Sequence, residues 1–205
     1  MTTDVDPAWF AGKQLSTDWS STHFERWAEL FAARREEPLE VLEIGSWEGR
    51  SALFFLHYLP RARLTCVDTF AGGAEHVGDS PFAGELPHVE QRFRANTAEF
   101  ADRVRLLVEP SRTALERLAA EGARFDLVLV DGSHEADDVL ADAEGSWALL
   151  REGGWSVLDD YQWQEYDDPR RTPKAGIDTF LDRHAGELVE RERGWQVVVE
   201  RTSAG

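Results

Sequence analysis

Four carboxylates and one histidine stand out by where they fall in the chain. Asp68, Asp131 and the pair Asp159-Asp160 follow the apolar runs Leu64-Thr65-Cys66-Val67, Leu127-Val128-Leu129-Val130 and Trp155-Ser156-Val157-Leu158. If these runs are parallel strands of one open sheet, their carboxyl ends share a rim, and acids distant in sequence meet there. A single acid in such a place can be a helix cap. Several beside a glycine turn point to a ligand. Asp131, Asp159 and Asp160 suit a hard divalent cation such as Mg2+, which takes oxygen ligands in octahedral geometry. Without a cation the carboxylates repel one another and a pKa rises. Either a metal sits there, then, or one acid holds a proton; the metal-free alternative has the acids binding substrate or capping helices. His134, three residues after Asp131, has the right chemistry for a general base near neutral pH. Its plain alternative is a hydrogen bond that holds the loop. Tyr161 is a weaker candidate for orienting a substrate.

A second group of residues surrounds a turn. Val41-Leu42-Glu43-Ile44-Gly45-Ser46-Trp47-Glu48-Gly49-Arg50-Ser51 reads as a buried strand, a glycine-bearing turn and the start of a helix. Gly45 and Gly49 let backbone approach a ligand closely. A strand that delivers a ligand to a helix N-terminus is the usual construction of a cofactor site in open α/β folds. The spacing is neither G-x-G-x-x-G nor a phosphate-binding G-x-x-x-x-G-K-S, since Arg50 stands near where the lysine belongs. Asp68 follows the turn by about two dozen residues, close to the spacing at which such folds grip a ribose hydroxyl pair with a carboxylate.

The elements that must position these groups alternate in type. The expected order is a helix over about 23–35, a strand at 39–44, a helix at 50–57, a strand at 63–67, a long loop at 69–86 and a helix at 88–97. Then come a strand at 104–109, a helix capped by Ser111, the clearest strand at 125–131 and a helix over 136–150. A turn at Glu152-Gly153-Gly154 precedes a strand at 155–158. A loop, a helix at 175–184 and two strands at 187–193 and 195–201 close the chain, the last two linked tightly at Arg193-Gly194 as an antiparallel pair. Residues 1–17 read as an N-terminal arm and residues 18–205 as one domain. Phe24, Trp27, Leu30 and Phe31 share a helix face suited to covering the sheet, and Trp19 is positioned to lid the pocket. His57 reads as a surface or capping residue; His76 and His88 are weak candidates for touching substrate, exposed loop histidines being common.

Composition bounds the function. The net charge of −17 opposes a phosphate backbone and disfavours nucleic acid as a partner. A small molecule, neutral, cationic or metal-bridged, suits this charge better. No apolar run reaches spanning length and no secretory pattern opens the chain, which favours the cytoplasm and no membrane partner. The single cysteine, Cys66, excludes an intramolecular disulfide and reads as a buried thiol. A homodimer is a reasonable default for the assembly.

Together Leu42 to Ser51, Val67-Asp68-Thr69-Phe70, Val130-Asp131-Gly132-Ser133-His134 and Gly153-Gly154 through Asp159-Asp160-Tyr161 resemble the class I S-adenosylmethionine-dependent methyltransferases. The nearer match is to the small bacterial O-methyltransferases and the macrolide-sugar and cephalosporin-tailoring enzymes. Asp18-Trp19 ahead of the first helix is similar too. The resemblance implies a Rossmann-like α/β fold with a doubly wound seven-stranded sheet, order 3-2-1-4-5-7-6, the last strand antiparallel. It implies S-adenosylmethionine as cofactor, with Glu43 and Gly45 lining its methionine part, Asp68 holding the ribose hydroxyls, and Ser46, Gly49 and Thr69 also among the residues that bind it. Ser111 would lie near the adenine and Asp131 beside the methyl group. In metal-dependent relatives the positions of Asp131, Asp159 and Asp160 bind magnesium, which grips an acceptor hydroxyl, and His134 or Asp131 would take its proton. A catalytically silent cofactor-binding or assembly protein and a tailoring enzyme of another class on the same fold are the rival readings. A nucleic-acid methyltransferase is disfavoured by charge and by Asp131-Gly132-Ser133-His134 standing where an Asn-Pro-Pro-Tyr-like motif would be.

Overall fold

The computed structural model describes residues 5–73 and 76–202. Its seven strands are β1 (Glu40–Ile44), β2 (Arg63–Asp68), β3 (Val104–Val108), β4 (Phe125–Val130), β5 (Leu150–Leu158), β6 (Leu188–Arg193) and β7 (Val197–Arg201). They form one sheet in the order β3-β2-β1-β4-β5-β7-β6. The first five pair in parallel, and β7 runs antiparallel between β5 and β6. This is the expected topology.

The central strands alternate between two buried faces, as parallel strands covered on both sides must. Val41, Leu127, Leu129, Val157 and Val198 pack toward α1 (Phe24–Phe31) and α2 (Arg50–Tyr58), and α3 (Leu86–Asn96) adds Val89 and Phe93 to that layer. Leu42, Ile44, Val128, Val130, Leu158, Val197 and Val199 pack toward α4 (Ser111–Ala120), α5 (Ala136–Trp147) and α6 (Pro173–Arg183). On the first face Phe24 stacks on Phe54 at 4.7 Å and Trp27 on Phe55 at 5.2 Å, which seats α1 against α2. On the second face Gly176 lets α6 touch α5: an added Cβ would stand 2.3 Å from the Ala136 carbonyl oxygen.

Three boundaries depart from expectation. The first helix is α only over Phe24–Phe31, with 3-10 turns at Ser21–His23 and Ala32–Arg34. The helix at 136–150 ends at Trp147, and β5 begins at Leu150 instead of 155. The Glu152-Gly153-Gly154 turn is a bulge inside that strand: Phe125 pairs with Leu150 and Leu127 with Trp155, so the extra residues loop out, with Gly153 at φ 72°. The Ser111 cap is likewise displaced. Pro110 is the cap position and Ser111 the first helical residue of α4. Ser111 lies close to Asp142 on α5, whose carboxyl burial raises to about 6.

Residues 5–17 lie against the domain. Trp9 stacks on His57 at 5.2 Å and Phe100 meets the same ring edge-on at 4.8 Å, so His57 is half-buried between them. Farther along, Ser16 donates its backbone N–H and its hydroxyl to the buried Glu48. Among the described residues no helix is long and apolar enough to cross a membrane.

Candidate functional site

Parallel register builds the rim. Ile44 pairs with Val67 and Val130, and Val130 pairs with Leu158. The residues that follow, Gly45, Asp68, Asp131 and Asp159, therefore stand side by side at one edge of the sheet. Two backbone bonds extend the ladder beyond the strands, Gly45 N–H to Val67 O at 2.9 Å and Asp131 N–H to Ile44 O at 2.8 Å. Gly45, at φ 85°, is required by this crowding. A Cβ there would lie 1.8 Å from the Asp131 carbonyl oxygen. The glycine thus admits a neighbouring strand end as well as facing the cavity. Gly49, also at φ 85°, caps α2, and a Cβ on it would press the Phe93 ring at 3.0 Å. It does not line the cavity, so its value is to the turn.

Above the rim lies a cavity of about 1370 Å³. Gly45, Ser46, Asp68, Thr69, Ser111, Asp131, His134, Asp159 and Asp160 all line it. Glu43 does not. It is fully buried beneath the loop, where Ser46 Oγ donates to its Oε2 and Cys66 Sγ approaches at 3.4 Å. Burial pushes the Glu43 carboxyl up to about 6, against the lowering effect of its hydroxyl and thiol neighbours. It shapes the loop from below instead of touching what the cavity holds. Tyr161 also turns away. Its hydroxyl donates to Asp178 at 2.8 Å and accepts from Lys174 at 2.9 Å and Arg193 at 2.7 Å, tying the loop after β5 to α6 and β6.

Asp68 is heavily used by the protein. Its Oδ2 accepts the backbone N–H of Ser46 and of Trp47, each at 2.8 Å, and its Oδ1 accepts that of Phe70 at 2.7 Å. A carboxylate has about four lone-pair positions. With three filled, one remains for a ligand, so the expected grip on both hydroxyls of a ribose narrows to one unless an amide gives way. The same bonds hold Trp47 at φ 45° and Phe70 at φ 54°, conformations few side-chain-bearing residues adopt.

Asp131 is different. Its carboxylate receives no hydrogen bond among the described residues. Burial first, then the charges of Asp159 and Asp160, hold it well above the usual carboxylate range. Burial and the Asp160 charge likewise push Asp159 up to about 7. Asp159 Oδ1 accepts the Asp160 N–H at 2.7 Å, and Oδ2 accepts Gln196 Nε2 at 2.8 Å. Asp160 takes φ 60° and presents Oδ2 to His134 Nε2 at 2.9 Å. The His134 ring lies flat on Trp163, centroids 4.5 Å apart. His134 thus bonds the acid loop and also lines the cavity. The donor chemistry of Asp131, Asp159 and Asp160 suits a hard cation. Among the described residues, however, no group of three such side chains is already gathered around one point. Asp159 and Asp160 each also bond a protein partner, Gln196 and His134.

Other wall residues carried little signal in the sequence. Trp19 sits at the mouth, its ring 5.3 Å from Trp47 and 5.0 Å from Phe82, with His76 in the same cluster. This is the place of the expected lid. Trp163 and Trp195 face the cavity as well. Asp142 is buried on the cavity wall. It follows Val139 by three positions on the apolar stripe of α5, and an acid there was the available clue. His88 is exposed and does not line the cavity.

A family model described as a methyltransferase domain matches residues 42–161. No curated protein matches the chain. Among solved structures, the MycE methyltransferase of the mycinamycin biosynthetic pathway, in complex with Mg, SAH and mycinamycin VI, is 21% identical with TM-score 0.64. The alignment covers 95% of this chain and 52% of that one, so the chain spans about half the length of MycE. The O-methyltransferase TomG from Streptomyces achromogenes, involved in tomaymycin synthesis and in complex with SAM, is 19% identical with TM-score 0.66, covering 91% and 82% of the two chains. Cofactor-bound Rv0187 from MTB is 23% identical with TM-score 0.61, covering 94% and 84%. At these identities the likeness is one of fold.

Proposed function

The chain belongs to the methyltransferase-domain family, and from that premise we propose that it transfers a methyl group from S-adenosylmethionine to a hydroxyl oxygen of a small molecule, assisted by a divalent cation. The observation that carries this reading is the meeting on one wall of Asp68, at the glycine turn, with Asp131, which has no hydrogen-bond partner among the described residues, and the Asp159-Asp160-His134 group. That MycE holds Mg and SAH on the same fold supports both ligands.

When bound, S-adenosylmethionine supplies a methyl group already activated by its sulfonium. Ser46 and the free acceptor position of Asp68 would hold the ribose end, Thr69 beside them, while Ser111 and Asp142 line the adenine end. Asp131 would face the methyl group, where its charge complements the sulfonium. The remaining work is to align the acceptor oxygen in line with the methyl carbon and to remove its proton. Asp131, Asp159 and Asp160 would hold the cation, which would lower the hydroxyl's pKa and fix its direction. His134, oriented by Asp160 and packed on Trp163, is the base for that proton, with Asp131 the second candidate. Trp19, Phe82, Trp163 and Trp195 give the acceptor apolar walls, and the acids between them disfavour an anionic one.

The test is to incubate the protein with S-adenosylmethionine and a panel of phenolic and sugar alcohols, with Mg2+ or with EDTA, and to read methylated products by mass spectrometry. Cation-dependent methylation of at least one hydroxyl is expected. Equal turnover in EDTA would remove the cation from the mechanism. Cofactor binding without turnover of any acceptor would favour the silent cofactor-binding protein.

A further inference from the structure

We infer that Gln196 is a positioning residue for Asp159, held in its working orientation by Trp27 of the core helix α1. Gln196 stands between β6 and β7, is 6% exposed and does not line the cavity. Trp27 is 1% exposed, and its Nε1–H donates to Gln196 Oε1 at 2.7 Å. An indole N–H can only donate. It therefore fixes which end of the amide faces it and leaves Nε2 to donate to Asp159 Oδ2 at 2.8 Å. A flipped amide would set two donors against each other at Trp27 and an oxygen against a carboxylate at Asp159, both buried, so the orientation is determined. The residue before Gln196 adds a second tie. Its carbonyl, Trp195 O, accepts the Tyr161 N–H at 2.8 Å. The turn between β6 and β7 thus grips the acid loop on both sides of Asp160, once through a side chain and once through backbone.

Asp159 lines the cavity, and Gln196, which does not, holds its Oδ2 from behind while the Asp160 N–H holds Oδ1. Groups that orient a metal-binding carboxylate in this way typically change metal affinity or activity by about 10–100-fold when removed. The inference rests on the reading that Asp159 helps to hold a cation.

The experiment titrates Mn2+, in the presence of SAH, into wild-type protein, Gln196→Met and Trp27→Phe by calorimetry, with SAH affinity and turnover measured alongside. Gln196→Met keeps the volume and removes both hydrogen bonds. It should weaken Mn2+ binding at least about tenfold and lower kcat, with SAH affinity unchanged. Trp27→Phe leaves the amide free to flip and should shift Mn2+ affinity in the same direction by less. In the double variant Trp27→Phe should add nothing, because its effect passes through Gln196. Mn2+ binding by wild type and Gln196→Met with equal affinity would overturn this role and leave the proposed function intact. Absence of Mn2+ binding by wild type would overturn the cation reading and this role together. If Gln196→Met does not fold, Trp27→Phe carries the test alone, and unchanged Mn2+ affinity in it overturns the role.

Discussion

Asp68 and Asp131 are both aspartates at strand ends, yet their surroundings give them opposite work. Asp68 accepts three backbone N–H groups and keeps the glycine turn closed, whereas Asp131 faces the cavity with no hydrogen-bond partner among the described residues. Changing Asp68→Ala removes the proposed ribose acceptor and loosens the turn, so SAH affinity by calorimetry should fall by at least about tenfold, one charged hydrogen bond's worth. Unchanged affinity would count against the assignment. His134→Gln should lower kcat about 100-fold or more, the usual share of a general base, while SAH affinity stays level. Unaltered turnover would pass the role of base to Asp131. Glu43 makes a stability prediction with a definite sign. Its folded pKa is raised, to about 6, so the folded state binds the proton more tightly than the unfolded chain. Stability therefore falls as pH rises from about 4.3, the unfolded value, through 6, and is flat above. Glu43→Gln should then stabilise the protein by about 2 kcal/mol at pH 8 in urea melts, with the gain vanishing below pH 4. A gain of equal size at both pH values would contradict this.

At the scale of elements, the sheet order was legible because each parallel strand is a short apolar run that stops at an acid or a turn, and because alternation on two faces follows from the period of the strand. The rim was legible for the same reason: once the runs are parallel, Asp68, Asp131, Asp159 and Asp160 share an edge. What was not legible depends on contacts across the chain. Nothing near Gln196 in sequence marks it, since its partners Trp27 and Asp159 lie on α1 and after β5. The Gly153-Gly154 pair signals a break in the chain direction and does not say whether the strand resumes in the same line, so a bulge was read as a boundary. The burial of Glu43 depends on how far the turn folds back over β1, and the turning away of Tyr161 on cations brought by α6 and β6. Gly176 allows a test of element packing that leaves the site alone. Alanine ordinarily gains up to about 1 kcal/mol over glycine inside a helix. Here a Cβ would stand 2.3 Å from the Ala136 oxygen, and overpacking of that kind costs about 1–3 kcal/mol or more. Gly176→Ala should therefore lower the Tm while leaving SAH affinity unchanged, and a raised Tm would mean that α5 and α6 are not packed this closely.

The whole molecule places one open, acid-lined cavity on a strongly acidic chain, with an aromatic cluster at its mouth and residues 5–17 laid over α2 and α3 beside the glycine turn. On the proposed function its two halves make separable demands: one edge of the cavity would take the methyl donor, the other the acceptor. Asp159→Ala, or EDTA on the wild type, should cut methyl transfer by about 100-fold while changing SAH affinity little. Parallel loss of both would mean that the halves are not independent. All of this requires that the cavity above β1, β2 and β4 bind the donor. The most direct measurement is a calorimetric titration of the purified protein with S-adenosylmethionine and with SAH. One-to-one binding of both is expected. Binding of neither would contradict the account at its base.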